Sequence, residues 1–445
     1  MKSIASYLEE HGPTLSSDLI IHIVSSSKVS ESAARKKIER LTSPVHKLNG
    51  YFADRQSLLY HQSDFNNENY FEGLARAFEK AGKRYSAIIT AMNYHHGIIA
   101  KKDLANYSFS PITDKKGHLT FHSLIENLMK LGVIYEYDND HYQLNSSLFQ
   151  KEEINYRYYK AIEFTKNLLL NNFNAWSRNL GLVSYAKGEY NNQVSGFQFS
   201  YTAPSYISGL VQSKDGILKP GFLTADVLIG NNTGINETSF FIKKIDIIKA
   251  SSPGIRLFPV LIMDGVEVNA LNKLKQNGVF IANIREIFGA EYNELLKSLI
   301  NTITNAGTIL KKEPEKYIDL MVQLSKLVDG KTNNLRGDLF ELAVGYYYGQ
   351  MCQFLEIGKK LRIEGEPRPR EIDVFAVYHN EIKLVECKGY NYAVDDTFVA
   401  KYLSDKIPTA KKWLDNGTYR EHAYTFEIWS TGGFTPEAIL LLEKA

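Results

Sequence analysis

The spacing of apolar and polar positions changes several times along this chain, and the changes divide it. Over residues 1–66 a helical period appears three times. The first stretch, 2–10, stops at Gly12-Pro13; the second, 16–25, puts Leu19, Ile20, Ile23 and Val24 on one side. The third, 31–41, is capped by Ser30 and carries Ala33, Ala34, Ile38 and Leu41. Asn49-Gly50 then predicts a tight hairpin within 47–52. A second unit of similar kind fills 67–150. Helical spacing covers 70–81, 85–94, 101–107 and 120–131, and Gly132 stops the last of these. The alternating stretch 133–137 turns at Asp138-Asn139-Asp140 into 141–144.

Residues 151–308 begin with one long helical stretch, 154–178. Strands are predicted at 197–201, 206–211, 225–229, 239–248, 257–263 and 279–283, and helices at 268–277 and 291–306. That order implies an α/β layer with a partly parallel sheet. Near 309 a charged segment containing Pro314 marks a boundary, followed by helical spacing at 317–328 and again at 335–348. Two strands rich in Val, Ile and Phe occupy 370–388 and break at His379-Asn380. A helix at 396–414, a strand at 423–430 and a last helix after Gly432-Gly433-Phe434-Thr435-Pro436 complete the 309–445 unit.

The chemistry lies in the pair of strands. Counting outward from a turn at His379-Asn380 pairs Tyr378 with Glu381 and Val377 with Ile382, and brings Asp373 opposite Glu386. Lys388, two residues beyond Glu386, projects to the same side. Val374, Ala376, Val385 and Cys387 then fill the other face. Two carboxylates directly opposed repel each other. A hard divalent cation between them would resolve the conflict, because Mg²⁺ takes oxygen ligands. Such a metal suits phosphodiester hydrolysis, with Lys388 positioning the attacking water or stabilising charge on phosphorus. Glu341, between Phe340 and Leu342 in an apolar helical stretch, is a candidate third acid and metal ligand. The bland alternative makes Glu386 and Lys388 a solvated pair, Asp373 a turn cap and Glu341 an ordinary helix surface acid.

Helix Glu341, hairpin Asp373 and the Glu386-Cys387-Lys388 triplet resemble the PD-(D/E)xK nuclease superfamily, with Ile372 in place of the family's proline. The strand, Gly-Gly-Phe-Thr and helix ending is similar to Mrr-type restriction endonucleases. The resemblance covers roughly the last quarter of the chain. It implies a restriction-endonuclease-like α/β domain with a mixed central sheet. It also implies catalytic Asp373, Glu386, Lys388 and Glu341, with Mg²⁺ held by Asp373, Glu386 and Glu341, and Mn²⁺ able to substitute. The order of elements in 151–308 resembles that of the last unit. As a degenerate copy it would put Asp226 at the acid's place, Lys244 at the lysine's and Ile242 at the glutamate's. A generic α/β interaction domain is the other reading.

The two N-terminal units look like winged helix-turn-helix modules. The third helix of the first carries Arg35, Lys36, Lys37 and Arg40, a pattern suited to phosphates or a major groove. A basic solvated helix is the alternative. Lys401 and Lys406 on the helix after the triplet are further candidate contacts to DNA, expected to be double-stranded. The chain as a whole is therefore expected to be a multidomain α/β protein with a helical, winged-helix N-terminus.

At 445 residues there is room for about two to four domains. No apolar run of membrane-spanning length occurs, and the N-terminal residues turn acidic before a signal-peptide core could form, so a cytoplasmic protein is expected. Cys352 and Cys387 are too few for a disulfide framework or a zinc site. His95, His96, His118, His122 and His141 show no convincing ligand spacing. A net charge of +2 carries no argument for nucleic acid, so that case rests on local patches. A homodimer is a further expectation. Two other functions stay open: a DNA-binding transcriptional regulator whose C-terminal domain only dimerises, and an effector nuclease switched on by a ligand.

Overall fold

The computed structural model describes residues 3–445 apart from 151–154, 185–186, 215–216, 306–307, 310–314, 316–318, 321–332, 364–368 and 391. The charged segment 311–316 and the helical pattern at 317–328 fall almost wholly outside the described residues.

Ser3 caps α1 (Ile4–His11) and Ser30 caps α3 (Glu31–Glu39); α2 (Ser16–Ser27) lies between them. Their apolar sides meet in a small core of Leu8, Leu19, Ile23, Ala34 and Ile38. A sheet of β1 (Thr14–Leu15), β3 (Ser57–His61) and β2 (Val45–Asn49) closes that core, all pairs antiparallel. The expected two-residue Asn49-Gly50 turn is instead a longer loop, since Asn49 pairs with Ser57. Gly50 begins that loop at φ 90°, a conformation that other residues avoid.

The next unit packs α4 (Glu68–Ala81), α5 (Lys83–Tyr94) and α7 (Phe121–Lys130) with a small antiparallel sheet. That sheet has the order β4 (Ile98–Ala100), β6 (His141–Leu144), β5 (Ile134–Glu136), and the short α6 (Lys101–Leu104) follows β4. Its core is continuous with one face of the sheet that follows.

Helix α8 (Tyr156–Asn179) opens the middle unit. Three antiparallel strands come next: β7 (Glu189–Val194), β8 (Phe197–Ser205) and, after the small β9 (Gln212–Lys214) and β10 (Ile217–Lys219) pair, β11 (Gly221–Leu228). Helix α9 (Ile235–Ser251) crosses to β12 (Leu257–Met263), which lies parallel to β11. Then α10 (Val268–Gln276) leads to parallel β13 (Phe280–Asn283), followed by α11 (Ile284–Phe288) and α12 (Ala290–Thr304).

Two expectations fail in this unit. Residues 239–248 form the middle of α9, not a strand. Thr238, Phe241, Ile242, Ile245 and Ile248 are buried at helical spacing, and Glu237 caps Gly234 N–H at 2.9 Å. Phe240, Phe241 and the four isoleucines of this stretch favour a strand locally, and the helical packing overrides that preference. Residues 206–211 are a turn, in which Leu210 N–H donates to Ile207 O at 2.9 Å.

The last unit repeats the plan: α13 (Asn333–Gly349), then a meander of β14 (Phe354–Leu361), β15 (Arg370–Val377) and β16 (Glu381–Lys388). A crossover follows, made of α14 (Asp396–Lys401), a π-helical turn Tyr402–Lys406 and α15 (Ile407–Asp415). It leads to β17 (Ala423–Ser430), parallel to β16, and then to α16 (Pro436–Leu442). Even the loop contacts correspond, since isolated parallel bridges join Thr233 to Val266 and Val394 to Phe434. The sequence had shown no sign of β14, whose Glu356, Lys359, Lys360 and Gly358 mask its alternation. Among the described residues no helix is long and apolar enough to cross a membrane.

Candidate active site

The hairpin pairs Val377 with Ile382 and Val374 with Val385, the register counted from the His379-Asn380 turn. Val374, Ala376, Val385 and Cys387 pack against α8 and α13 in the larger core. Phe375, Val377, Ile382 and Leu384 pack on the opposite side with Ala410 and Leu414 of α15. One rung beyond Val374 the ladder gives way. Asp373 takes its place there: its Oδ2 accepts from Cys387 N–H at 2.7 Å.

Asp373 and Glu386 are therefore neighbours at the end of two buried strands, 8% and 6% exposed. Burial and the Glu386 charge push the Asp373 carboxyl up to about 6, as expected of like charges confined together. Two lysines offset them. Lys388 Nζ donates to Glu386 Oε1 at 2.7 Å, and Lys406 Nζ donates to Glu386 Oε2. Burial alone would lower the Lys388 ammonium, but Glu386 and Asp373 outweigh it and hold it above its usual value. Tyr402, buried beside them, has its phenol pushed well up by burial and by the same two carboxylates. Asp373, Glu386 and Lys388 thus converge at one end of the sheet.

Glu341 is drawn into another contact. Lys160 of α8 donates to its Oε2 at 3.0 Å and to Glu371 Oε1 at 2.6 Å. Among the described residues no three His, Cys, Asp or Glu side chains are grouped to hold a metal. Among the described residues Glu341 is paired with Lys160 and is not grouped with Asp373 and Glu386. The Cys387 thiol, on the α13 side, is pushed well up by burial, then by Asp373, Glu341 and Glu386. The pair that remains, Asp373 with Glu386, still fits a hard cation: both are oxygen donors, on adjacent strands, with charges that repel each other.

Sequence reasoning missed the acids and lysines that tie this end of the sheet to the rest of the chain. Lys360 Nζ meets Glu371 Oε2 at 2.8 Å and Asp138 Oδ2 at 2.9 Å, and Arg157 Nη2 meets Glu356 Oε1 at 2.7 Å. No local pattern marks partners this remote in sequence. Arg35, Lys36, Lys37 and Arg40 are all exposed on or just after α3, with Arg35 held to Glu31 at 2.6 Å. Lys401 is exposed, whereas the Lys406 ammonium is turned to Glu386.

The middle unit answers differently. Tyr201 pairs with Ala225, so the next rung sets Ser200 opposite Asp226. Ser200 N–H donates to Asp226 Oδ1 at 2.8 Å. By position in the shared plan, Asp226 corresponds to Glu386, Ser200 to Asp373 and Leu228 to Lys388. Lys244 stands on the crossover helix, where Lys406 stands in the last unit. The expected places of Asp226, Lys244 and Ile242 are all corrected, because 239–248 is helical. Lys244 and Asp226 form a fully buried pair at 2.7 Å, with Lys244 also donating to Asn106 O at 2.5 Å and Gln198 O at 2.8 Å.

Neither a family model nor a curated protein matches the chain. Among solved structures, it is similar to the DNA modification-dependent restriction endonuclease AspBHI, at 13% identity and a TM-score of 0.20. The match covers 60% of this chain and 62% of that one. A likeness this distant leaves the functional argument to the site itself.

Proposed function

We propose that the chain is a Mg²⁺-dependent endonuclease that hydrolyses phosphodiester bonds in double-stranded DNA. The observation that carries this reading is the convergence of Asp373, Glu386 and Lys388 at one end of a mixed sheet. Asp373 and Glu386 would hold the metal, with Mn²⁺ able to replace Mg²⁺. When bound, the metal supplies Lewis-acid polarisation of the phosphoryl group and a more acidic water. Lys388 fixes the orientation of Glu386 and presents an ammonium to charge developing on phosphorus. Glu341 serves from one step back, through Lys160. The exposed cations of α3 would meet DNA phosphates, as in winged-helix proteins, and deliver duplex to the site. Restriction or phage defence is the role such a machine would serve.

The test is cleavage of supercoiled, linear and single-stranded DNA by the purified chain. Mg²⁺ should support cutting and EDTA should stop it, while D373A and K388A should abolish it. Equal cutting by the variants would place the activity elsewhere.

A second reading, an effector switched on by a small ligand, is favoured by one feature of the middle unit. A cavity of about 420 Å³ opens at the carboxyl ends of β11 and β12, lined by Tyr158, Asp264, Lys297 and Asn301. Asp264 Oδ1 is buried there without a hydrogen-bond partner among the described residues. Cutting that begins only when nucleotides or cell extract are added would favour this reading.

A further inference from the structure

The π-helical turn Tyr402–Lys406 interrupts the crossover between α14 and α15. Such a turn adds a residue to one helical turn and re-aims the side chains around it, and it often marks a functional position. Here Tyr402 is buried beside Asp373 and Glu386, and Lys406 ends the turn with its ammonium on Glu386 Oε2. Asp405, the neighbouring residue, is anchored to Arg370 Nη2 at 2.9 Å, which fixes the turn against β15.

Both oxygens of Glu386 are thus engaged by lysines, Oε1 by Lys388 and Oε2 by Lys406. The middle unit shows what a permanent version looks like. Lys244 is wholly buried, donates to two carbonyls as well as to Asp226, and lies 4.4 Å from the Phe199 ring centroid. Lys406 differs. Its side chain is 19% exposed, and among the described residues Glu386 is its one hydrogen-bond acceptor. It can leave toward solvent without stranding a buried charge on itself.

We propose that Lys406 is a positioning residue that serves as a built-in counter-cation. It holds Glu386 in place before metal arrives, then yields Oε2 to the incoming ion. The balance of charge favours this exchange. Two carboxylates and two ammonium groups are neutral together, and a divalent cation added to them would leave excess positive charge in a buried site. Releasing Lys406 removes part of that excess, so the lysine and the metal compete for one oxygen. This role rests on the reading of Asp373 and Glu386 as metal ligands.

The experiment is Mn²⁺ binding to the full chain without DNA, read from the electron paramagnetic resonance of free Mn²⁺. K406M should bind Mn²⁺ roughly tenfold tighter than the wild type. K406R, which keeps the cation, should stay near the wild type, and E386Q should lose binding. If K406M binds no tighter while E386Q still loses the ion, Lys406 does not compete and the metal site stands. If E386Q binds as well as the wild type, the metal reading falls and this one with it. Circular dichroism reports whether K406M folds. If it does not, wild-type protein carrying ¹³C-dimethyl lysines gives the same test. The Lys406 methyl resonance, identified by its absence from K406R, should shift when Mg²⁺ is added. A resonance that stays in place would overturn the proposal.

Discussion

His95 lies fully buried at the end of α5, its ring 4.5 Å from that of Tyr107. Its Nδ1 is 2.8 Å from Ala91 O, and because a carbonyl only accepts, Nδ1 carries the proton. Burial pushes this imidazole down to about 4 from its ordinary 6.5. Between those values the unfolded chain binds a proton that the folded chain refuses. Stability is therefore full above pH 6.5 and is lost as the pH falls toward 4, by up to about 3 kcal/mol from this one group. H95Q should flatten that part of the stability profile, measured by melting temperature at successive pH values. Parallel profiles for the two proteins would show that His95 does not titrate this way. At this scale the sequence was partly legible. Asp373, Glu386 and Lys388 could be read because they share one local hairpin, whereas Glu341 could not be placed, because its partner Lys160 is remote in sequence and on another unit.

Among the elements, the hairpin was readable for a physical reason: a period of two and a two-residue break leave a single register that buries Val374, Ala376 and Val385 together. The crossover was readable as a helix but not as an interrupted one, since nothing in Tyr402-Leu403-Ser404-Asp405-Lys406 announces a π turn. Helix α9 misled because Phe240, Phe241, Ile242, Ile247 and Ile248 favour strands locally, and only packing against β8 and the preceding unit decides otherwise. Helix α8 joins the units through Lys160, which faces Glu341 and Glu371 together. Burial, which opposes its charge, raises the Glu371 carboxyl, but Lys160 and Lys360 outweigh that and hold it well below the usual range. Removing one of those cations should matter. The Lys160 side chain is 21% exposed, so solvent softens the loss, and K160M should cost about 1–3 kcal/mol. Urea unfolding followed by tryptophan fluorescence would measure it. A midpoint unchanged in K160M would mean that the pair adds nothing.

Across the whole molecule, two sheets follow one plan and carry opposite solutions at the same place. The middle sheet sets Ser200 opposite Asp226 and closes the acid off with Lys244. The last sheet keeps two acids there, with Lys388 and the partly exposed Lys406 both on Glu386. The sequence suggested a shared order of elements, but partly through a strand at 239–248 that is helix α9, and the matching of residues depends on counting rungs outward from known pairs. Mn²⁺ soaked into crystals of the full chain, located by its anomalous scattering, tests the central claim most directly. One peak shared by Asp373 and Glu386, with none at Asp226, is the expected result. A peak at Asp226, or none between Asp373 and Glu386, would contradict it.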